Sequence, residues 1–324
     1  MAKDLESLRI SRQAATASAQ RYGFVPQSII GADWSITTRR DEQMRPQTLK
    51  TESEWHGTAF ELSPTSLAHQ SDFPHNICRF FIRYLCPETL GDAGPFENHL
   101  PVILDPFAGH NSRMEDVWAL GRNYVGWDVS RQFHDANTRI KLEITSNRMP
   151  GIGDPEIMLV NGDSRLMDYE ALADFAITSP PFWDVEKYGT EPEQIGTGHT
   201  YEEFLEGLTT ILANVYRGLK DGSFFVLEAS DIKRQRRLIP FHAHAMTALQ
   251  EVGFILHDIV ICDFGRGFRQ NFPAQLEAQK TTSKNHSYFI VARKGEPAWI
   301  SDADAARYLI SQYVPDEVVQ GAML

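Results

Sequence analysis

One short segment, Thr178-Ser179-Pro180-Pro181-Phe182-Trp183, stands directly after an apolar run at 174–177 that is typical of a buried strand. Two consecutive prolines end this strand because neither has an N–H for a sheet ladder. The turn therefore holds two hydrogen-bond acceptors, the Ser179 hydroxyl and the Pro180 carbonyl, at the carboxyl end of a strand, where open α/β sheets bind ligands. With the aromatic rings of Phe182 and Trp183, these acceptors can hold a planar base through its exocyclic amine. The alternative is a strand end followed by two core aromatics.

Seven apolar runs predict the strands of one sheet, and several of the segments between them have helical periodicity. This alternation predicts an α/β protein with a mostly parallel sheet flanked by helices. The predicted strands lie at 101–104, 124–127, 157–160, 174–177, 224–227, 254–262 and 287–292, and the clearest helices at 77–85, 114–120, 201–219 and 240–252.

The first predicted strand runs into a turn that contains Gly109, and a helix follows, as in the first βα unit of a nucleotide-binding sheet. Gly109 lets the backbone approach a ligand closely, although one glycine alone is a weak phosphate-binding signal. Asp128 ends the second strand 23 residues after Asp105, near the spacing at which an acid meets ribose hydroxyls; otherwise it caps a helix. Asp163 follows the third strand, where it either accepts a hydrogen bond from an adenine amine or caps the next turn.

The chain is acidic, with a net charge of −12, and its one dense basic cluster lies at 231–237. A second segment, at 264–272, mixes arginine with glycine and aromatic residues, a composition suited to phosphates and bases. Because the charge argues against a broadly basic surface, phosphate contacts must be local, and the alternative is a solvated face or a plain loop. The cations concerned are Lys233, Arg234, Arg236 and Arg237 in the first segment and Arg266 and Arg269 in the second.

The composition indicates the broad class of protein. Hydrophobic residues make up 42% and charged residues 23% of the 324 residues, as in soluble globular proteins. The sequence has no apolar run of membrane-spanning length and no apolar signal core, so we expect a cytoplasmic protein without membrane contact. The three cysteines, Cys78, Cys86 and Cys262, form no CxxC pair and no even disulfide set, which favours reduced thiols. No metal site is predicted.

Two of these segments together resemble the paired signatures of the amino-group DNA methyltransferases, the S-adenosylmethionine enzymes that modify cytosine N4 or adenine N6. The first is Asp105-Pro106-Phe107-Ala108-Gly109, and the second is Ser179-Pro180-Pro181-Phe182. Further segments at 73–74, 188–204 and 286–290 are similar to the family's cofactor-closing segment, post-turn loop and helix, and closing strand, so the resemblance covers about 70–295. The order resembles a circular permutation of much of the Ser-Pro-Pro branch, and 110–113 departs from the family's glycine-threonine.

The resemblance implies a Rossmann-like methyltransferase fold with a seven-stranded sheet and S-adenosyl-L-methionine as the cofactor. Residues and resemblance together predict the catalytic residues Ser179, Pro180, Pro181 and Phe182. They predict cofactor contacts at Phe73, Asp105, Phe107, Gly109, Asp128, Asp163 and Thr178. They predict nucleic-acid contacts at Trp183, Lys233, Arg234, Arg236, Arg237, Arg266 and Arg269.

The organisation of the sequence also predicts a domain arrangement. We expect residues 1–60 to form an arm or subdomain and residues 301–324 to form a C-terminal helix or tail. We expect residues 61–300 to form the catalytic domain, with small DNA-contact insertions near 231–240 and 263–285.

The predicted activity is methyl transfer to an exocyclic amine of a base flipped out of double-stranded DNA. N4 of cytosine is favoured because serine before the two prolines is typical of the resembling cytosine enzymes, and N6 of adenine comes next. Methylation of RNA or protein is an alternative, and the departure at His110 motivates another, a non-catalytic binding protein with a methyltransferase fold. The sequence leaves open whether a partner restriction endonuclease exists and whether the protein forms a homodimer.

Overall fold

The computed structural model describes residues 28–31, 75–87, 98, 100–110, 113–146, 155–185, 188–234, 237–263, 273–282 and 284–295. Several predicted features lie outside these residues, namely Phe73, Arg236, Arg266, Arg269, the 264–272 insertion, the 301–324 tail and all of the 1–60 arm except 28–31.

All seven predicted strands form, and the structure adds a short edge strand and a hairpin. The strands are β1 (Ile29–Gly31), β2 (Val102–Asp105), β3 (Asn123–Asp128), β4 (Ile157–Asn161), β5 (Ala173–Thr178), β6 (Leu219–Ala229), β7 (Ile232–Arg234), β8 (Arg237–Ile239), β9 (Ile255–Asp263) and β10 (His286–Arg293). The helices are α1 (His75–Leu85), α2 (Met114–Ala119), α3 (Arg131–Ser146), α4 (Tyr201–Gly218), α5 (Phe241–Glu251) and α6 (Pro273–Gln279).

The main sheet has the strand order β1-β9-β10-β6-β5-β2-β3-β4, and β7 pairs with β8 as a separate hairpin. Only β10 runs antiparallel to its neighbours in the main sheet, since the pairs of β2 with β3, β2 with β5, β3 with β4, and β5 with β6 are parallel. Strands β2 to β6 therefore end at one edge. The fold is the expected mixed α/β architecture with a mostly parallel sheet.

Helices cover both faces of the sheet because its central strands are apolar on both faces. In β5, Phe175 and Ile177 belong to the buried cluster that includes α1, α2 and α3, whereas Ala176 belongs to the cluster that includes α4 and α5. Such two-sided burial is typical of a doubly wound sheet and leaves the strand ends as the open edge.

The cysteines are buried and free. Burial raises the pKa of Cys86 to about 12, so this thiol is protonated and unreactive at neutral pH. Within the described part of the chain, no helix is long and apolar enough to cross a membrane, and no three His, Cys, Asp or Glu side chains are grouped for a metal ion.

Candidate active site

Asp105, at the end of β2, is fully buried, and protein groups surround both of its carboxylate oxygens. Arg113 Nε lies 2.6 Å from Oδ2, Tyr124 donates its hydroxyl to the same oxygen at 2.8 Å, and Thr178 donates to Oδ1 at 2.7 Å. Burial and the negative charge of Asp105 raise the pKa of Tyr124 well above its usual value, so the phenol hydroxyl stays protonated and donates a hydrogen bond. Asp105 and Thr178 thus connect β2, β3 and β5 beneath the sheet edge.

The turn after β2 lies on this buried carboxylate. Gly109 has a φ of 55°, a left-handed conformation that glycine adopts without a Cβ clash. Its N–H donates to Asp128 Oδ2 at 2.8 Å, and its carbonyl accepts from the Asn137 amide at 2.8 Å. Phe107 is half-buried, and its carbonyl accepts from Arg113 at 2.5 Å. The backbone of the turn is therefore held from β3, α3 and the Asp105 pair.

Asp128, at the end of β3, is half-buried and points to this turn. One oxygen accepts from Gly109 and the other from the Ser130 N–H at 2.8 Å. Burial raises the pKa of Asp128 to about 6, although these two hydrogen bonds act in the opposite direction. Each carboxylate oxygen keeps a second lone pair, so Asp128 can still accept hydrogen bonds from a ligand's hydroxyl groups.

Asp163 caps a single 3₁₀ turn, Ser164–Leu166, which was one of its two predicted roles. Its Oδ1 accepts from the Arg165 N–H at 2.9 Å, and its Oδ2 lies 2.8 Å from Arg165 Nη2. Arg165 Nε also donates to both oxygens, at 3.0 and 2.9 Å, so Arg165 engages each oxygen of Asp163 twice. Asp163 is half-buried at the same edge of the sheet as Asp128.

The Pro-Pro turn (178–185) follows β5 as predicted. Ser179 is half-buried, and its hydroxyl makes no hydrogen bond to any residue that the structure describes. Pro180 and Pro181 are buried, and Phe182 packs edge-on against Phe241 with a centroid distance of 6.2 Å. The turn thus presents a hydroxyl acceptor next to an aromatic ring that is only partly covered.

Trp183 has a φ of 43°, an unusual conformation for a bulky residue, and several groups hold it. Its indole N–H donates to the His199 carbonyl at 3.0 Å, and its ring meets Tyr201 edge-on at 5.3 Å. The guanidinium carbon of Arg234 lies 4.8 Å from the ring centroid. The predicted nucleic-acid contact at Trp183 is therefore already occupied by protein groups on three sides.

The loop at 188–200 packs directly on the Pro-Pro turn. A Cβ on Gly196 would lie 3.0 Å from Pro181 Cβ and 3.2 Å from the Trp183 carbonyl oxygen, so glycine permits this close approach. The loop ends at Thr200, which forms a capping box with Glu203 and starts α4.

A cleft of about 250 Å³ opens beside the Pro-Pro turn, at the carboxyl end of β6. Lys284 Nζ lies 2.5 Å from Ser230 Oγ and 3.0 Å from the Asp231 carbonyl, and Asp231 Oδ1 lies 2.5 Å from His242 Nδ1. The lining residues are Phe182, Val185, Ser230, Asp231, Ile232, Lys233, Thr282 and Lys284.

Residues 173–319 match the family model N6_N4_Mtase, described as DNA methylase. This segment is a DNA methylase domain of that family. It begins at β5 and contains the Pro-Pro turn, the cleft and strands β6 to β10, whereas β2 to β4 precede it. No curated protein matches the sequence.

Solved structures with some likeness to the chain include a proposed DNA modification methylase from Thermus thermophilus in complex with S-adenosyl-L-methionine. It is 26% identical, covers 41% of this chain and 54% of its own length, and has a TM-score of 0.32. An S-adenosylmethionine-dependent methyltransferase from Methanosarcina mazei is 13% identical, with coverages of 60% and 92% and a TM-score of 0.39. The chain therefore spans about half the length of the Thermus protein.

Within the methylase domain, two of the predicted basic residues are bonded to protein groups. Lys233 donates to the Thr282 carbonyl at 3.1 Å, and Arg234 Nη2 lies 2.7 Å from Asp184 Oδ2. The side chain of Arg237 is exposed and makes no hydrogen bond or ion pair to the described residues. The three cations therefore differ in their availability to a ligand.

The sequence reasoning missed the polar lining of the cleft in the methylase domain. Ser230 and Asp231 directly follow β6, just as Asp128 ends β3, so the strand-end rule that found Asp128 also applied to them. His242 and Lys284 carried no such signal, because they meet Asp231 only through the fold.

Proposed function

We propose that the protein is an S-adenosyl-L-methionine-dependent DNA methyltransferase that modifies an exocyclic amino group, with N4 of cytosine favoured. The observation that carries the proposal is the Pro-Pro turn, where the Ser179 hydroxyl has no described protein partner beside the half-buried Phe182 ring. Both lie at the edge where β2, β3 and β5 end. The DNA methylase family match at 173–319 supports the substrate class.

In this proposal the Pro-Pro turn binds the amine of a base that has left the DNA stack. The Ser179 hydroxyl and the Pro180 carbonyl accept hydrogen bonds from the amine, which keeps electron density on a nitrogen that otherwise shares it with the ring. Phe182 stacks on the base at the mouth of the cleft. Bound S-adenosyl-L-methionine supplies an electrophilic methyl group, and the turn contributes by orienting the nitrogen towards it.

The strand ends of β2 and β3 fit the cofactor. Asp128 keeps free lone pairs for two ribose hydroxyls, and the Gly109 turn brings backbone close to it without a side chain. Phe107 is proposed to line the site. Asp163 would accept from the adenine amine only if Arg165 released one of its oxygens. Asp105 and Thr178 are proposed to support the cofactor site from beneath rather than to contact the cofactor. Their side chains hydrogen-bond to each other, and Asp105 also accepts from Arg113 and Tyr124.

DNA contact is proposed for the surface around the β7–β8 hairpin. Arg237 is available there, and Arg236, Arg266 and Arg269 stay predictions. Because the chain has a net charge of −12, a few local cations carry a large share of the attraction to phosphate.

Labelled S-adenosyl-L-methionine and unmodified double-stranded DNA test the proposal directly. We expect methyl transfer by the full chain and a decrease of about 10²–10³-fold in kcat for Ser179→Ala, the scale seen when one group that stabilises a transition state is removed. Ser146→Ala is a matched control, since the Leu142 carbonyl is the only partner of its hydroxyl among the described residues, at the exposed end of α3.

The alternatives give different results in the same set of measurements. RNA and protein acceptors assayed in parallel separate the substrate classes. Calorimetry with S-adenosyl-L-methionine separates an enzyme from a non-catalytic binding protein. No methyl transfer to any DNA, together with no cofactor binding, would contradict the proposal.

A further inference from the structure

The contacts of Arg234 set it apart from the other basic residues. Its guanidinium lies over the Trp183 ring at 4.8 Å and also pairs with Asp184 at 2.7 Å. Its side chain is 43% exposed and that of Asp184 29%, so the pair lies at the border of solvent. The Arg234 guanidinium therefore contacts two consecutive residues of the Pro-Pro turn, Trp183 and Asp184. The hairpin that carries Arg234 comes about 50 residues later in the chain.

The Pro-Pro turn needs such support. Trp183 adopts a left-handed φ of 43°, and conformations of this kind cost on the order of 1–3 kcal/mol and persist only where neighbouring groups hold them. Pro181 and Phe182 directly precede Trp183, so relaxation of Trp183 displaces both the stacking ring and the acceptor groups next to it. The other supports come from the His199 carbonyl and the Tyr201 ring.

We propose that Arg234 is a positioning residue, which holds Trp183 and Asp184 so that the Pro-Pro turn keeps its acceptors and Phe182 in place for the target amine. This inference rests on the proposed function for its catalytic part. It replaces the sequence-based prediction that Arg234 contacts phosphate, because the guanidinium is already shared between an aromatic face and a carboxylate.

The hairpin supplies a matched comparison, since Arg234 pairs directly with Arg237 across β7 and β8. The two arginines have the same side chain and lie at the same level of one hairpin, but only Arg234 contacts the Pro-Pro turn. Arg234→Gln and Arg237→Gln therefore separate positioning from phosphate contact.

The first measurement is amide hydrogen exchange of 182–185 in the full chain without DNA, where the Val185 N–H donates to the Phe182 carbonyl. Pro180 and Pro181 have no N–H, and this measurement does not depend on activity. We expect exchange about tenfold faster in Arg234→Gln and in Asp184→Asn, since either change removes the same pair. Arg237→Gln and the exposed α3 variant Arg139→Gln leave this exchange unchanged. The double variant, Asp184→Asn with Arg234→Gln, exchanges no faster than either single variant, as for two residues that act as one unit.

The second measurement is methyl transfer to DNA at several salt concentrations. Arg234→Gln lowers kcat by about 10–100-fold with the salt dependence of DNA affinity unchanged, because a displaced turn misplaces the reacting nitrogen. Arg237→Gln lowers the slope of log affinity against log salt by about one, as for one lost phosphate contact. Arg234→Lys, which keeps the charge but loses the planar fork, gives an intermediate kcat.

The two measurements distinguish failure of the inference about Arg234 from failure of the proposed function. If Arg234→Gln leaves the exchange of 182–185 unchanged and lowers the salt slope as Arg237→Gln does, Arg234 is a phosphate contact and the inference is wrong. If exchange rises as expected but the unmutated protein transfers no methyl group to DNA, the proposed function fails while Arg234 still positions the turn.

Discussion

The two halves of the candidate site are stabilised in different ways. At the proposed cofactor edge, where β2 and β3 end, these strand ends are held by each other, through the fully buried Asp105 and through Asp128 on the Gly109 turn. The Pro-Pro turn is instead held from outside, by the 188–200 loop, by α4 and by Arg234 of the hairpin. The first region is part of the core of the fold, whereas the second depends on later elements that can be altered separately.

The comparison predicts the largest effect at Asp105. Asp105→Ala leaves Arg113 buried without its carboxylate, and breaking a buried pair in this way costs about 3–5 kcal/mol in the free energy of unfolding. Urea denaturation measures this cost. The exposed Asp168→Ala is the matched control, and we expect it to change the free energy of unfolding by less than about 1 kcal/mol. An Asp105→Ala protein as stable as the control would show that the cofactor edge is not held through this residue.

The second prediction concerns cofactor affinity at Asp128. Asp128→Ala weakens binding of S-adenosyl-L-methionine by about 1.5–3 kcal/mol in calorimetry, the usual worth of hydrogen bonds to a charged group. An unchanged dissociation constant would remove Asp128 from the cofactor site.

Binding should also depend on pH, with a definite sign. Burial raises the pKa of Asp128 to about 6 in the free protein, and hydroxyl donors favour its ionised form. Affinity is therefore constant above this pH and falls as the pH drops below it, to roughly one tenth at pH 5. The Asp128→Ala protein should lose this dependence, and a wild-type affinity that is flat from pH 7 to 5 would contradict the role of Asp128.

A smaller effect is expected where the loop meets the Pro-Pro turn. Gly196→Ala places a Cβ 3.0 Å from Pro181 and 3.2 Å from a Trp183 backbone atom, and overpacking of this kind costs about 1–3 kcal/mol. Because the loop packs on this turn, we expect kcat to fall while cofactor affinity stays the same. The exposed Pro192→Ala in the same loop is the control. Equal losses of cofactor affinity and kcat would show that the two regions are not independent.

The sequence predicted seven of the strands because most of them are short apolar runs, as in sheets that helices cover on both faces. The run at 254–262 is interrupted by His257 and Asp258. It did not predict β1, a three-residue strand that exists only through its pairing with Ile261–Asp263. The start of β6 was also misjudged. The sequence predicted a strand only at 224–227, but β6 begins at Leu219 and runs through Gly222, whose N–H donates to the Lys294 carbonyl.

The sequence predicted those residues of the candidate site that lie at strand ends. Asp105, Asp128 and Asp163 were found by position, but their individual environments depend on Arg113, Ser130 and Arg165, which no spacing rule assigns. Contacts between distant segments could not be predicted from one sequence. The pairing of Asp184 with Arg234 is the clearest case, because in the sequence Arg234 is only one member of a basic cluster.

The proposal that the Pro-Pro turn presents a base amine for methylation can be tested by nucleoside mass spectrometry of DNA treated with the protein and S-adenosyl-L-methionine. We expect N4-methylcytosine from the unmutated protein and a loss of about 10²–10³-fold in its rate of formation with Ser179→Ala. N6-methyladenine as the only product would keep the turn but overturn the choice of base. Equal product from the unmutated and Ser179→Ala proteins would contradict the claim itself.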